Sequence, residues 1–108
     1  MLISTEIRVI QPTGFLSTAN SAAFLEDFKR CFEADASIIL VDLQEITFLD
    51  SSGLGTLIHM HTKLRLAGRR LCLCSLNEQA LTLLEISDLD RVLEIFENQD
   101  AFFDEIVK

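Results

Sequence analysis

At 108 residues and 12.2 kDa the chain has the size of one small domain, read here as spanning 1–108. Hydrophobic residues make up 49% and charged residues 24%, a balance that argues against disorder. A net charge of −8 repels polyanions, so nucleic acid and anionic membrane surfaces are disfavoured as partners.

The charge is uneven. From Leu76 onward nine acids face only two bases, Arg91 and Lys108, and the preceding residues are nearly neutral. Such a face aids solubility; the sharper reading is steering toward a basic partner. No apolar run approaches the length of a membrane span, and Met1–Thr5 has no basic region leading into an apolar stretch. Three cysteines (Cys31, Cys72, Cys74) form no framework spacing, which fits a reducing, cytoplasmic setting.

In chain order, Glu6–Gln11 reads as a strand that Pro12-Thr13-Gly14 ends. A helix begins near Thr18–Asn20, either of which could cap it, with Phe24, Leu25, Phe28, Cys31 and Phe32 on one stripe. Ser37–Leu43 is a second strand, and its unalternating run Ile38-Ile39-Leu40-Val41 suits burial on both faces of a parallel sheet. Ser51–Ala67 is a second helix with Leu54, Leu57, Ile58 and Leu64 inward and Gly68 closing it. Arg70–Leu76 is a third strand, and Asn77 caps a short helix packed through Ala80, Leu81, Leu83 and Leu84. Val92–Phe96 is a fourth strand. Gln99–Lys108 is a last helix, with Ala101, Phe102, Phe103, Ile106 and Val107 along its apolar side. Strands alternating with helices predict an α/β fold: a single layer, mostly parallel or mixed, of four or five strands flanked by about four helices.

The most informative stretch is Phe48-Leu49-Asp50-Ser51-Ser52-Gly53-Leu54-Gly55, where a strand hands over to a helix. Asp50 and Ser51 are both good N-caps. Gly53 and Gly55 each cost about 1 kcal/mol against Ala inside a helix, so two in the first turns need a reason. One is close approach by another surface to a helix start that favours anions and carries serine hydroxyls. The plainer one is a well-capped helix packed tightly on a sheet.

The string Ile39 to Gly55, I-L-V-D-L-Q-E-I-T-F-L-D-S-S-G-L-G, resembles the signature of STAS domains, the sulfate transporter and anti-sigma factor antagonist family. Pro12–Leu16, Ala67–Leu71 and Leu84–Asp90 resemble the loop after the family's early strand, its helix-to-strand turn and its late helix and loop. The resemblance implies a small bacterial cytoplasmic regulator that is not an enzyme and carries no cofactor or metal. Stand-alone members bind an anti-sigma factor, often a serine kinase of the GHKL ATPase class, and so release a sigma factor. By motif match the phosphorylated serine is Ser52, with Ser51 the alternative; a metal-dependent PPM-type serine phosphatase reverses the modification. Asp50 orients the turn, Gly53, Leu54 and Gly55 form the clear surface beside it, and Ser17 and Thr18 complete the partner-binding set. Ser17 stands where much of the family has an acidic residue. The segment before Glu6 is short, so the family's first strand is expected to be shortened or missing. A weak homodimer is left open. The alternative function is an interaction module in a phosphatase or sensor assembly with no sigma factor target.

Other features read blandly. Cys72 and Cys74 share one strand face, where residues two apart do not easily bond, and His59 and His61 diverge by about 200° on a helix. No zinc site is expected. Cys31 reads as a core thiol. Neither a Gly-x-Ser-x-Gly elbow nor a Gly-Lys-Ser/Thr phosphate loop is present. Asp88 and Asp90 read as loop caps rather than a general acid and base. A flavodoxin-like enzyme would need a bound cofactor or a convergent acid/base pair. Lys63, Arg65, Arg69 and Arg70 read as a solvated helix end.

Overall fold

A computed structural model describes residues 6–106. Its main sheet holds four strands, β1 (Ile7–Ile10), β3 (Ile38–Asp42), β5 (Arg70–Cys74) and β6 (Glu94–Phe96), hydrogen-bonded in that order. Every pairing is parallel, with Ile10 opposite Val41, Val41 opposite Leu73 and Leu73 opposite Ile95. The helices are α1 (Ala22–Glu33), α2 (Ser51–Leu66), α3 (Glu78–Ile86) and α4 (Gln99–Ile106).

The strand order runs steadily one way across the sheet. Right-handed crossovers then place all three connecting helices on the same face. The core follows this rule: Phe24 and Phe28 of α1, Leu57 and Leu64 of α2, and Leu84 of α3 pack with Ile39, Val41, Leu71 and Leu73. The opposite face, with Ile38, Leu40, Cys72 and Cys74, is covered by Phe102 of α4. All five residues of β3 are buried, which is why that strand shows no polar alternation.

Two further strands form a sheet of their own. β2 (Gly14–Leu16) pairs in parallel with β4 (Ile46–Leu49), matching Phe15 to Phe48 and Leu16 to Leu49. This small sheet is absent from the sequence reading. Its strands are three and four residues long, and Phe15 and Phe48 are exposed, so the usual alternation of apolar inward and polar outward residues is missing.

Local details depart from expectation in a few places. Thr18–Asn20 is a single 3₁₀ turn and α1 starts at Ala22; neither Thr18 nor Asn20 caps it, and Ser21 at the cap position donates instead to the Thr18 carbonyl. Leu25 is exposed, while Met60 joins the α2 core face. The last helix is followed to Ile106, and Val107 lies outside the described residues, as does the segment on which a shortened first strand was expected. α2 closes as foreseen. Gly68 at φ +75° donates to the Arg65 carbonyl and Arg69 N–H to that of Leu64, the paired bonds of a Schellman end. Arg69 is no solvated base: its guanidinium donates to the Phe32 and Ala36 carbonyls and lies 3.9 Å over the Phe32 ring. Arg70 pairs with Glu94 across the sheet.

Candidate functional site

The register of the small sheet builds the site. Leu16 lies opposite Leu49, so the residues that follow each strand, Ser17-Thr18 and Asp50-Ser51-Ser52, emerge side by side. The Asp50 N–H donates to the Leu16 carbonyl at 3.3 Å, tying the two exits together. Gln79 of α3 clamps the end of β4: its Nε2 donates to the Leu49 carbonyl at 2.7 Å, and its Oε1 accepts from the Leu49 N–H at 2.9 Å. A side-chain amide thereby acts as a neighbouring strand.

Asp50 is the N-cap of α2. One carboxylate oxygen, Oδ1, accepts from the Gly53 N–H at 2.8 Å and from the Ser52 hydroxyl at 2.7 Å. The Ser52 hydroxyl bond, then the Gly53 N–H bond, hold the Asp50 carboxyl below its ordinary pKa. Ser52 Oγ also accepts from the Thr18 N–H at 2.9 Å. Its hydroxyl is therefore fixed by one donor and one acceptor while the residue stays exposed. Ser51 is exposed as well, but its side chain makes no hydrogen bond among the described residues. The expected second cap is thus not formed, because Asp50 already meets the free amide.

The two glycines play opposite parts. Gly53 is buried, and a Cβ there would sit 2.2 Å from the Leu16 carbonyl oxygen. Gly55 is exposed with nothing within 4 Å of such a Cβ. Leu54 is in the core. The clear surface expected of Gly53, Leu54 and Gly55 is therefore corrected to Gly55 alone. Ser17 is only 6% exposed and Thr18 is exposed, so Thr18 is the accessible one of that pair.

Away from this site, Asp42 is buried at the end of β3. It accepts from Gln11 Nε2 (3.3 Å), the Gln44 N–H (3.0 Å) and Gln99 Nε2 (2.7 Å), which satisfies a carboxylate by protein groups and ties α4 to the sheet. Neither Asp42 nor Gln79 was singled out from the sequence; a lone Asp or Gln carries no periodic signal. Burial pushes the thiols of Cys72 and Cys74 up to about 12 and about 11. Among the described residues no group of three or more His, Cys, Asp or Glu could hold a metal ion, and no helix is long and apolar enough to cross a membrane.

The STAS domain family model matches residues 1–101. This chain belongs to the STAS domain family. The anti-sigma F factor antagonist of Paenibacillus polymyxa is 30% identical over 61 residues, 56% of this chain. The match spans about half, 52%, of that relative's length. The anti-sigma-B factor antagonist of Listeria monocytogenes is 30% identical over 78 residues, 71% of this chain and 68% of its own. Among solved structures, the anti-sigma factor antagonist SpoIIAA in its unphosphorylated form superposes with a TM-score of 0.72 at 17% identity, covering 98% of this chain and 94% of that one. The Bacillus protein has also been solved in a phosphorylated form, which superposes at 0.68 and 18% identity, covering 94% and 93%. These likenesses agree with the α/β arrangement expected of the family.

Proposed function

We propose that this STAS domain is a non-enzymatic anti-sigma factor antagonist acting in the bacterial cytoplasm. It binds an anti-sigma factor serine kinase of the GHKL ATPase class, releases a sigma factor, and is switched off by phosphorylation of Ser52. A PPM-type serine phosphatase restores it. Two relatives named as antagonists support the class of function, and a related fold solved with and without phosphate supports the switch.

The observation that carries the reading is the Ser52 hydroxyl. It is exposed at the start of a helix, aimed by Asp50 and Thr18, and flanked by the empty space over Gly55. A partner surface can reach it without moving the backbone. Phosphorylation replaces the hydroxyl proton with a group of about −1.5 to −2 charges. Ser52 Oγ then has nothing to donate to Asp50, and two anions face one another. Under a docked partner that dianion would be buried unpaired, at a cost of several kcal/mol. Each 1.4 kcal/mol is about tenfold in affinity.

The test is an affinity capture from host lysate with wild type, Ser52→Ala and Ser52→Glu as baits, followed by ATP addition and mapping of phosphopeptides. Wild type and Ser52→Ala retain a GHKL-type kinase that Ser52→Glu loses, and phosphate appears on Ser52 rather than Ser51. Recovery of the same non-kinase proteins on all three baits would make Ser52 a structural tie between Asp50 and Thr18 and the chain an interaction module.

A further inference from the structure

The strand that leads into the Ser52 turn also lines a groove that the switch itself does not use. It lies between β4 and α3, has a volume of about 500 Å³, and is lined by Phe48, Glu78, Gln79, Thr82, Leu83 and Ile86. Gln79 is the residue that clamps Leu49, and Phe48, which lines the groove, stands two residues before Asp50. Ile86 is 77% exposed, a large value for an apolar side chain. Phe48 is 40% exposed, and Phe15 at 44% extends the same surface by stacking on it with centroids 5.0 Å apart. These are not scattered apolar residues but a contiguous face.

Helix geometry orders the α3 wall. At 100° per residue, Leu83 and Gln79 lie toward the sheet, Ile86 and Thr82 further out, and Glu78 and Glu85 together on the outer rim, about 20° apart. Neither glutamate takes part in an ion pair among the described residues. No basic residue lines the groove. Lys63 and Arg65 are eleven and thirteen residues further along α2 than Ser52, roughly 16–20 Å away.

We infer that the groove formed by Phe48, Thr82, Leu83 and Ile86 is a second contact for the protein that docks over Ser52, and that it takes an apolar side chain from a segment also carrying Lys or Arg. This rests on the proposed function for the identity of that protein. The charge selects the occupant. A second copy would bring Glu78 and Glu85 against the same acids in a molecule of net charge −8. A basic partner gains a complementary rim around an apolar centre, the arrangement of a binding hot spot.

The experiment measures affinity of the purified protein retained by the wild-type bait for wild type, Ser52→Glu, Ile86→Glu and Glu78→Gln/Glu85→Gln, at low and high salt. Ile86, Glu78 and Glu85 are exposed, so these variants keep the circular dichroism spectrum and melting temperature. Ile86→Glu weakens binding about tenfold or more. The double neutralisation slows association and flattens its salt dependence. Loss with Ser52→Glu but none with the groove variants overturns the groove and leaves the switch standing. Loss with the groove variants alone sinks the switch and overturns the groove as a second contact beside Ser52, leaving it the main contact of a protein that does not dock there. Sedimentation of the free protein closes the remaining route: a dimer dissociated by Ile86→Glu would mean that a second copy fills the groove, and would overturn the inference.

Discussion

The Leu16 carbonyl oxygen occupies the place where a side chain on Gly53 would have to go, 2.2 Å from an ideal Cβ, with the Leu16 carbonyl carbon at 2.7 Å. Both obstacles are backbone, so no rotamer change relieves them. Gly53→Ala must push β2 away from α2, breaking the Asp50-to-Leu16 bond and the Thr18-to-Ser52 bond together. We expect a loss of about 1–3 kcal/mol or more in denaturant unfolding. Gly55→Ala meets nothing and gains helix propensity, so it stabilises by up to about 1 kcal/mol. If Gly55→Ala also weakens partner binding, the glycine is kept for access rather than for folding. Opposite signs at two glycines two residues apart are the measurable outcome.

On the proposed switch, phosphorylation of Ser52 is expected to leave the fold in place. The site is exposed and solvent-screened, and the Gly53 N–H bond to Asp50 survives. The phosphoprotein therefore keeps its circular dichroism spectrum and melts within about 8 °C of the unmodified form. A coil spectrum would refute the switch as a surface event.

The same geometry gives a titration. The Ser52 hydroxyl is the largest cause of the lowered Asp50 pKa, and Ser52→Ala removes it, so the Asp50 carboxyl rises toward its ordinary value. A carboxylate depressed in the folded state contributes stability above its unfolded pKa, about 3.9, and loses it as pH falls through the folded value. Wild type therefore loses this contribution in acid below about pH 4, and Ser52→Ala has less of it to lose. Carbon NMR of the Asp50 carboxyl through a pH titration measures the shift directly.

Much of this was legible in the sequence because the deciding signals are local. Asp50 and Asn77 cap helices with their own side chains, Gly68 ends α2, and the apolar run of β3 reports burial on both faces. The parallel sheet and its flanking helices follow from that alternation. What was not legible depends on contacts between distant residues. β2 and β4 stabilise each other across 32 residues of chain, from Leu16 to Leu49. The burial of Gly53 comes from Leu16, and the clamp on Leu49 comes from Gln79; neither partner is marked by type or spacing. The motif points to Ser52 as the candidate, but only the β2–β4 register explains why Thr18 is the residue whose N–H reaches it.

The thiols give a chemical check on the core. Cys72 and Cys74 sit under α4 with pKa values raised to about 12 and about 11, chiefly by burial. Thiolate, the reactive form, is scarce there. Cys31 is also raised by burial, yet partly accessible. Iodoacetamide at pH 8 should modify Cys31 slowly and leave the other two until denaturant is added, as read by peptide mass spectrometry. A raised thiol pKa favours the folded state below the unfolded value of about 8.5, so stability falls as pH rises from there toward 11.

Gln79 provides the last test of how the site is held. Its side chain satisfies both backbone groups of Leu49, and Leu49 is fully buried immediately before Asp50. In Gln79→Ala both groups lose their partner in a part-buried setting, which costs about 1–3 kcal/mol for each group left unsolvated. Gln79→Glu keeps the shape and the acceptor but not the donor, so it leaves only the Leu49 carbonyl unpaired and places a carboxylate against it. Because the defect lies at the end of β4, it should be felt at the serine as well. Hydrogen exchange at the Leu49, Asp50 and Thr18 amides should quicken in both variants, more than at β3 or β5. Uniform acceleration across the whole sheet would instead mean that Gln79 supports global stability and has no special hold on the Ser52 turn.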